Sequence, residues 1–377
     1  MSGASNPHGA PAAPESTLAA VLMRAWMRRG LLACLLWPVS LLFGLLSALR
    51  RAGYASGLFK TVRLPVPVIV VGNLFVGGTG KTPFTIWLVD CLRDAGFHPG
   101  VISRGHGRRE AGLQRVLPGS RADAMGDEPV LIARRTRVPL MVGRDRVAAG
   151  FALLAAHPDI DVLVADDGLQ HYRLGRDIEI ILSDARGAGN GWLLPAGPLR
   201  EPQGRRRDFS VENVGTPAPQ ESAMPDFAAP PPPRSAGAQA AFKPVSAARM
   251  RLLAPVAEQL ADRSQRTTLA AIAAARPQPK IIAAAGIGNP ARFFATLHGA
   301  GLAFEPMPLP DHFPFTPHTF AACTADLILI TEKDAVKCQE IDALAADTRL
   351  WVVPVSAWLD ASFGHTIVEK LRGHATA

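Results

Sequence analysis

Cysteine is scarce in this chain, and the little there is follows no pattern. Four cysteines, Cys34, Cys91, Cys323 and Cys338, occur in 377 residues. They show none of the spacings of a zinc site or a disulfide framework, so they read as reduced thiols in a reducing compartment. Aromatic residues make up 6% and only two of them are tyrosines. With no nucleic-acid motif beside them, no nucleic-acid partner is expected. Charge is also thin, at 19%, and tilted: 40 Lys and Arg against 32 Asp and Glu leave a formal net charge of +8 and a pI of about 9.8. That excess suits an anionic partner such as a phosphorylated lipid or an acidic membrane surface. Apolar sequence, by contrast, is plentiful at 48%, and the length allows two domains with substantial cores.

Much of the apolar excess lies near the N-terminus. Residues 1–20 are rich in Ala, Pro, Ser and Gly and are expected to be disordered. Residues 21–60 form an expected membrane-anchoring region: Arg24, Arg28 and Arg29, the charge-free run from Leu31 to Leu49, then Arg50 and Arg51. A run of that length spans a bilayer's hydrocarbon core as a helix, and Pro38 within it is tolerated. Because both flanks are basic, a full crossing and an interfacial helix in one leaflet stay open. A signal peptide would share the basic start and apolar middle, but no small-residue cleavage site follows.

The informative stretch is Val66–Thr82. A β-branched run ends in Gly77, Gly78, Thr79, Gly80, Lys81 and Thr82, and Trp87, Leu88, Cys91, Leu92 and Ala95 then recur at helical spacing. Strand, glycine loop and helix in that order make a phosphate cradle, because glycine lets backbone N–H groups approach a polyphosphate and the helix start adds its dipole. Lys81 would reach the β- and γ-phosphates of ATP, and Thr82 would ligate Mg²⁺. The loop is atypical: Phe75 stands where the usual spacing puts the first glycine. A plain glycine-rich strand-to-helix turn would share part of this pattern.

A second apolar strand, Ile160–Ala165, ends in Asp166 and Asp167. Carboxylates at a rigid strand end are what a metal beside a nucleotide needs, although Asp-Asp-Gly also makes a good turn. His171 follows, either near the metal or as a strand-end hydrogen-bonding residue. Asp127 and Glu128 precede Pro129 and a helical run, where capping alone would explain them. Arg200 and Glu201 sit on a proline-punctuated loop, Leu193–Pro202, as a possible anion clamp and a further metal oxygen, or as a structural ion pair. Residues 206–275, with Pro230–Pro233, read as a Pro/Ala-rich linker or insertion. Strands at Lys280–Ala285, Asp326–Thr331 and Leu350–Val353 then mark a smaller α/β unit over residues 276–377. The Gly286-x-Gly288 turn lacks the third glycine of a dinucleotide site. The fold class is therefore α/β, a P-loop NTPase-like, mostly parallel sheet over residues 61–205, joined to a smaller C-terminal α/β domain and preceded by a membrane helix.

Taken together, Gly-Asn-Leu-Phe-Val-Gly-Gly-Thr-Gly-Lys-Thr-Pro, Ser-Arg-Gly, Gly-Asp-Glu-Pro, Asp-Asp-Gly-Leu-Gln-His, Leu-Leu-Pro-Ala-Gly-Pro-Leu-Arg-Glu-Pro, Ala-Gly-Ile-Gly, Asp-His-Phe-Pro-Phe and Thr-Glu-Lys-Asp-Ala-Val-Lys resemble the tetraacyldisaccharide 4′-kinases, the lipid A 4′-kinases of Gram-negative bacteria. The resemblance implies ATP- and Mg²⁺-dependent phosphorylation of the 4′-hydroxyl of an acylated disaccharide 1-phosphate, on the cytoplasmic face of the bacterial inner membrane. By it Gly77–Thr82 bind nucleotide, and Thr82, Asp166, Asp167 and Glu201 serve the metal. Asp127 and His312 form a base dyad, and Arg200 contacts substrate or phosphate. His106 stands where that family carries a tyrosine. An ATPase driving a partner's motion would share the P-loop but would not need Asp127 and His312 together.

Overall fold

The β-branched run at the heart of the sequence becomes the middle of a sheet. The structure, a computed structural model, describes residues 18–108, 111–215 and 246–375. The expectations for residues 1–17 and for the proline run at 230–233 lie outside the described residues.

β1 (Val68–Asn73) is buried along its whole length. It runs parallel to both neighbours, β5 (Val162–Asp166) and β6 (Ile178–Asp184). A strand covered on both faces must be apolar throughout, which is why Val-Ile-Val-Val is continuous rather than alternating. Outward from β5 come β2 (Pro99–Ser103), β4 (Leu140–Val142) and, antiparallel at the edge, β3 (Gln114–Val116). Outward from β6 come β7 (Phe209–Gly215), β8 (Ala247–Leu253) and antiparallel β15 (Ser356–Trp358). The nine-stranded order is β15-β8-β7-β6-β1-β5-β2-β4-β3.

The helix after the glycine loop, α3 (Lys81–Asp94), fully buries Phe84, Leu88 and Leu92, one turn apart, against this sheet. Each such side chain contributes roughly 1.5–3 kcal/mol. The helices α4 (Ala122–Met125), α5 (Asp127–Thr136) and α6 (Arg146–Ala156) follow. The last is capped by Asp145, whose carboxylate accepts the Val147 and Ala148 N–H groups.

The second lobe has six strands, in the order β10-β9-β14-β13-β11-β12. They are β9 (Val256–Gln259), β10 (Arg266–Thr268), β11 (Ile281–Ala285), β12 (Glu305–Pro308), β13 (Leu327–Thr331) and β14 (Leu350–Val353), with helices α7 (Leu269–Ala274), α8 (Pro290–Gly299), α9 (Glu332–Cys338) and α10 (Asp342–Ala345). The chain enters this lobe through Ala254-Pro255 and leaves it through Pro354-Val355. Its last helix, α11 (Ala361–Ala375), returns to the first lobe, where Phe363 stacks on Trp87 of α3 at 6.2 Å between ring centroids.

Three sequence expectations are corrected. Residues 206–275 are not all linker: β7 and β8 extend the main sheet and residues 256–275 build the second, their apolar positions being too interleaved with Arg, Glu and Ser to stand out beside a proline run. The unit proposed for 276–377 ends at β14. Residues 18–20, expected to be disordered, are instead the start of α1 (Leu18–Ala25).

α2 (Leu31–Ala55) carries Leu31, Leu35, Leu41, Leu42, Leu45, Leu46 and Leu49 exposed, and it is long and apolar enough to cross a membrane. Its inner side is fastened to the loop after β6. The buried Ser40 Oγ donates to the Leu193 carbonyl and accepts the Ala196 N–H, each at 2.8 Å, while the Trp26 indole N–H donates to the Pro195 carbonyl at 2.8 Å.

Candidate active site

The glycine loop leaves β1 at Asn73, which is fully buried and substitutes for the missing first glycine as the organiser of the turn. Its Nδ2 donates to the carbonyls of Phe75 (2.6 Å) and Gly77 (3.0 Å), and its Oδ1 accepts from Lys81 Nζ at 3.0 Å. Gly80 has φ +93°, a left-handed backbone that glycine adopts without strain, and a Cβ there would lie 2.5 Å from Asn213 Nδ2. That amide, on β7, donates to the Thr79 carbonyl at 2.9 Å. Asn213 therefore shapes the loop from within the stretch read as linker; its only sequence signal was the brief alternation of Phe209, Val211 and Asn213.

Asp166 and Asp167 end β5 directly beneath the loop, and their environments diverge. Asp166 is buried, accepting from Ser103 Oγ at 3.2 Å and Thr85 Oγ1 at 3.5 Å. Burial first, then the charges of Glu128 and Asp167, push its pKa up to about 7. Burial would also raise Asp167, but Lys81 at 3.6 Å and Arg200 at 3.2 Å outweigh it and hold this carboxyl below its ordinary range. The Arg200 backbone N–H donates to the Leu74 carbonyl at 2.8 Å, so the α2-bound loop and the glycine loop share a seam.

Glu201 is placed elsewhere. Its carboxylate accepts from Gln170 Nε2 at 3.0 Å and pairs with Arg205, which also binds Glu179 at 2.6 Å. These contacts make Glu201 part of an ion-pair cluster with Arg205 and Glu179, while each of its oxygens keeps a second lone pair. His171 Nε2 accepts the Arg146 N–H at 3.3 Å, and burial with the nearby Arg146 charge pushes its pKa down to about 4. It is the hydrogen-bonding alternative that this geometry favours.

These residues fit a nucleotide with a hard cation. The Thr79 hydroxyl is buried with no hydrogen-bond partner, and Asp166 is an oxygen ligand whose ionised form a cation would relieve. Among the described residues no group of three or more His, Cys, Asp or Glu forms a cage. Mg²⁺ does not require one, since it retains waters and phosphate oxygens in its shell.

The second lobe closes the site from above. Asp127, the first residue of α5 and 4% exposed, accepts the Glu128 N–H through Oδ1 at 3.0 Å, and its Oδ2 lies 3.0 Å from His312 Nδ1, 185 residues away. Burial works to raise Asp127, but the His312 hydrogen bond and the charges of Lys333, His312 and Lys337 hold it low. The same bond raises His312 against the opposing effect of burial. His106 lies 5.6 Å from the His312 ring, and both line a pocket of about 330 Å³ with Arg121, Asp127, Phe315 and Lys337. The pair and the glycine loop adjoin: the point a Cβ on Gly288 would occupy is 3.1 Å from Asp311 Oδ2 and 4.0 Å from the Gly78 nitrogen.

Further contacts between the lobes went unread in the sequence. Arg292 Nη2 of α8 lies 2.7 Å from Asp184 Oδ2, a carboxylate shared with Arg186, which donates to the Gly78 carbonyl at 2.9 Å. Arg135 Nη1 of α5 binds both Glu332 oxygens at 2.9 and 2.8 Å.

Known proteins resemble this chain along most of its length. Residues 32–372 match the family model described as Tetraacyldisaccharide-1-P 4′-kinase. A tetraacyldisaccharide 4′-kinase of Janthinobacterium sp. (strain Marseille) is 58% identical over 96% of this chain and 99% of its own length. That of Azoarcus sp. (strain BH72) is 47% identical over 92% and 94%. Among solved structures, the "apo" form of LpxK from Aquifex aeolicus in complex with ATP superposes with a TM-score of 0.70 and 28% identity, covering 90% of this chain and all of that one.

Proposed function

Because the chain belongs to the tetraacyldisaccharide-1-phosphate 4′-kinase family, we propose that its interlobe cleft moves the γ-phosphoryl group of ATP onto the 4′-hydroxyl of a tetraacylated disaccharide 1-phosphate, a step of lipid A biosynthesis. The observation that carries this reading is the Asp127–His312 pair, assembled from two lobes beside a phosphate loop. An ATPase could use such a pair on water; the pocket of about 330 Å³ beside it is the room that a sugar acceptor needs.

The glycine loop and Lys81 would hold the β- and γ-phosphates, and Thr82 and Asp166, with Asp167, would hold Mg²⁺. When bound, the cation neutralises charge on the phosphates. Arg200, now paired with Asp167, is the residue placed to turn toward an arriving phosphate. The acceptor sugar occupies the pocket lined by His106, Phe315 and Lys337, with its hydroxyl at the Asp127–His312 pair. As the sugar oxygen bonds to the γ-phosphorus and the bond to ADP breaks, the hydroxyl proton passes to the pair, which acts as one titrating unit. Closure of the second lobe excludes water, the competing acceptor.

The leucines of α2 face outward and sit in the inner membrane, with both lobes on the cytoplasmic side where ATP is found. The acylated substrate lies in that same membrane.

The test is transfer of labelled γ-phosphate from ATP to detergent-dispersed tetraacyldisaccharide 1-phosphate by wild type, Asp127→Ala and Lys81→Ala. Labelled lipid from the wild type, nearly abolished in both variants, supports the reading. ATP hydrolysis without labelled lipid, persisting in Asp127→Ala, overturns it in favour of an ATPase.

A further inference from the structure

The motif Thr331-Glu-Lys-Asp-Ala-Val-Lys337 stands out in the sequence without an assigned task. In the fold it launches α9 from the end of β13, in the interior of the second sheet. Thr331 Oγ1 accepts the Asp334 N–H at 3.1 Å and donates to Asp334 Oδ2 at 2.7 Å, and the same carboxylate accepts the Gly286 N–H at 2.9 Å. Glu332 is clamped by Arg135 of α5. The backbone between these two anchors belongs to Lys333, so its side chain starts from a fixed point.

From there Lys333 Nζ lies 3.3 Å from Glu128 Oε1, 3.7 Å from Asp311 Oδ1 and 3.8 Å from Asp127 Oδ2, the oxygen that also faces His312. Two of these carboxylates belong to the first lobe and one to the second. The ammonium is mostly buried, with its side chain 17% exposed, so its charge is poorly screened.

We infer that Lys333 is a positioning residue of the transfer: its ammonium, shared among Asp127, Glu128 and Asp311, keeps a proton off the Asp127–His312 pair until the acceptor hydroxyl supplies one. This rests on the reading of that pair as the acceptor's base. The charged and titratable groups facing the pair are Glu128 on α5, Asp311 on the loop between β12 and β13, Lys333 and Lys337 on α9, His106 across the pocket, and Arg121, Asp123 and Glu340 along its wall. Lys337 is tied to the buried Asp334 at 3.4 Å, which leaves Lys333 as the cation in direct reach of Asp127. Its positive charge disfavours a proton on His312 and on Asp127 alike, so the direction of its effect is the same whichever of the two carries that proton. A lysine that only tied the lobes together would weaken closure equally at every pH.

The experiment is the pH dependence of kcat/KM for lipid phosphorylation by the full-length protein in detergent, for wild type, Lys333→Gln, Lys333→Arg and Asp311→Asn, with Asp127→Ala as control. Protonation of ATP and of the lipid phosphate is common to all, so displacement between profiles belongs to the protein. In Lys333→Gln the acid limb moves to higher pH, with a loss of about tenfold on the acid side that shrinks at alkaline pH. Lys333→Arg restores the wild-type profile. Asp311→Asn, at a side chain 45% exposed, moves the limb the opposite way, both by freeing the lysine charge and by removing the carboxylate charge that raises His312. A Lys333→Gln profile lowered by one factor throughout, or an Asp311→Asn limb that stays put, overturns the inference. Full transfer by Asp127→Ala would instead overturn the reading of the base pair.

Discussion

Arg292, in the first turn of the second lobe's helix α8, places Nη2 2.7 Å from Asp184 Oδ2 at the end of the first lobe's strand β6. Arg186 occupies the same carboxylate at 2.8 Å and holds the Gly78 carbonyl, so the second lobe is tied to the phosphate loop through one acidic side chain. Two guanidiniums on one carboxylate leave a net positive charge at the loop's rim. Arg292→Ala is expected to lower kcat/KM for ATP about tenfold. In a double-mutant cycle with Asp184→Asn the two sites should couple by about 1 kcal/mol or more. Independent, additive losses would refute the tie.

The Asp127–His312 pair sets a pH window for lobe closure. His312 is raised above its ordinary 6.5, so its stabilising contribution is complete below that value and is lost as pH rises through the raised one. Asp127 is lowered from 3.8, so its contribution is present above that value and is lost as pH falls through the lowered one. The pair is therefore strongest between about pH 4 and 6.5. The difference in Tm between wild type and His312→Asn should be largest in that window and narrow on both sides. A difference flat with pH would show that the two groups do not titrate as a unit.

Ser40 carries a link between α2 and the site. Its hydroxyl satisfies two backbone groups of the loop that leads to Arg200. Ser40→Ala leaves the buried Ala196 N–H without a partner, a local cost of about 1–3 kcal/mol, and takes one of two donors from the Leu193 carbonyl, which keeps the Gly197 N–H at 2.9 Å. Faster amide exchange over residues 193–200 is expected, together with a several-fold loss of lipid phosphorylation. Unchanged exchange there would mean that α2 and the loop are energetically separate.

Metal dependence should follow Asp166. MgATP at a hundredfold excess over its Kd stabilises a folded protein by about 2.7 kcal/mol. Asp166→Asn should lose most of the Mg²⁺-dependent part of that gain, measured as the rise in Tm on adding Mg²⁺ to the ATP-bound protein. Chelation with EDTA should reduce the wild type to the same level. A variant that retained the full Mg²⁺ effect would move the metal away from Asp166.

What the sequence made legible is what is local. Gly77–Thr82, Asp166 and Asp167 could be read because strand, loop and helix are adjacent in the chain and each leaves its own periodicity. Asp127 and His312 were paired through resemblance alone, for nothing in either neighbourhood points across 185 residues. Arg292 carried no pattern, Asn213 only a brief alternation, and Lys333 lay in a motif with no assigned task, since each acts on a partner that only tertiary packing brings near. The partners of Arg200 and Glu201 were hidden for the same reason: successive side chains diverge, one to Asp167 and the other to Arg205.

The second lobe is reached and left through Ala254-Pro255 and Pro354-Val355, and the strands on either side of this passage, β8 and β15, are hydrogen-bonded neighbours with Leu253 opposite Ser356. A body held by one strand tumbles; one held by two adjacent, proline-stiffened strands swings about a single axis, as a door does on paired pins. The turn at Gly288, His312 and Lys333 all ride on that door. Any rotation about that axis would carry them together, so phosphate contact, proton acceptor and the charge beside it would move as one body.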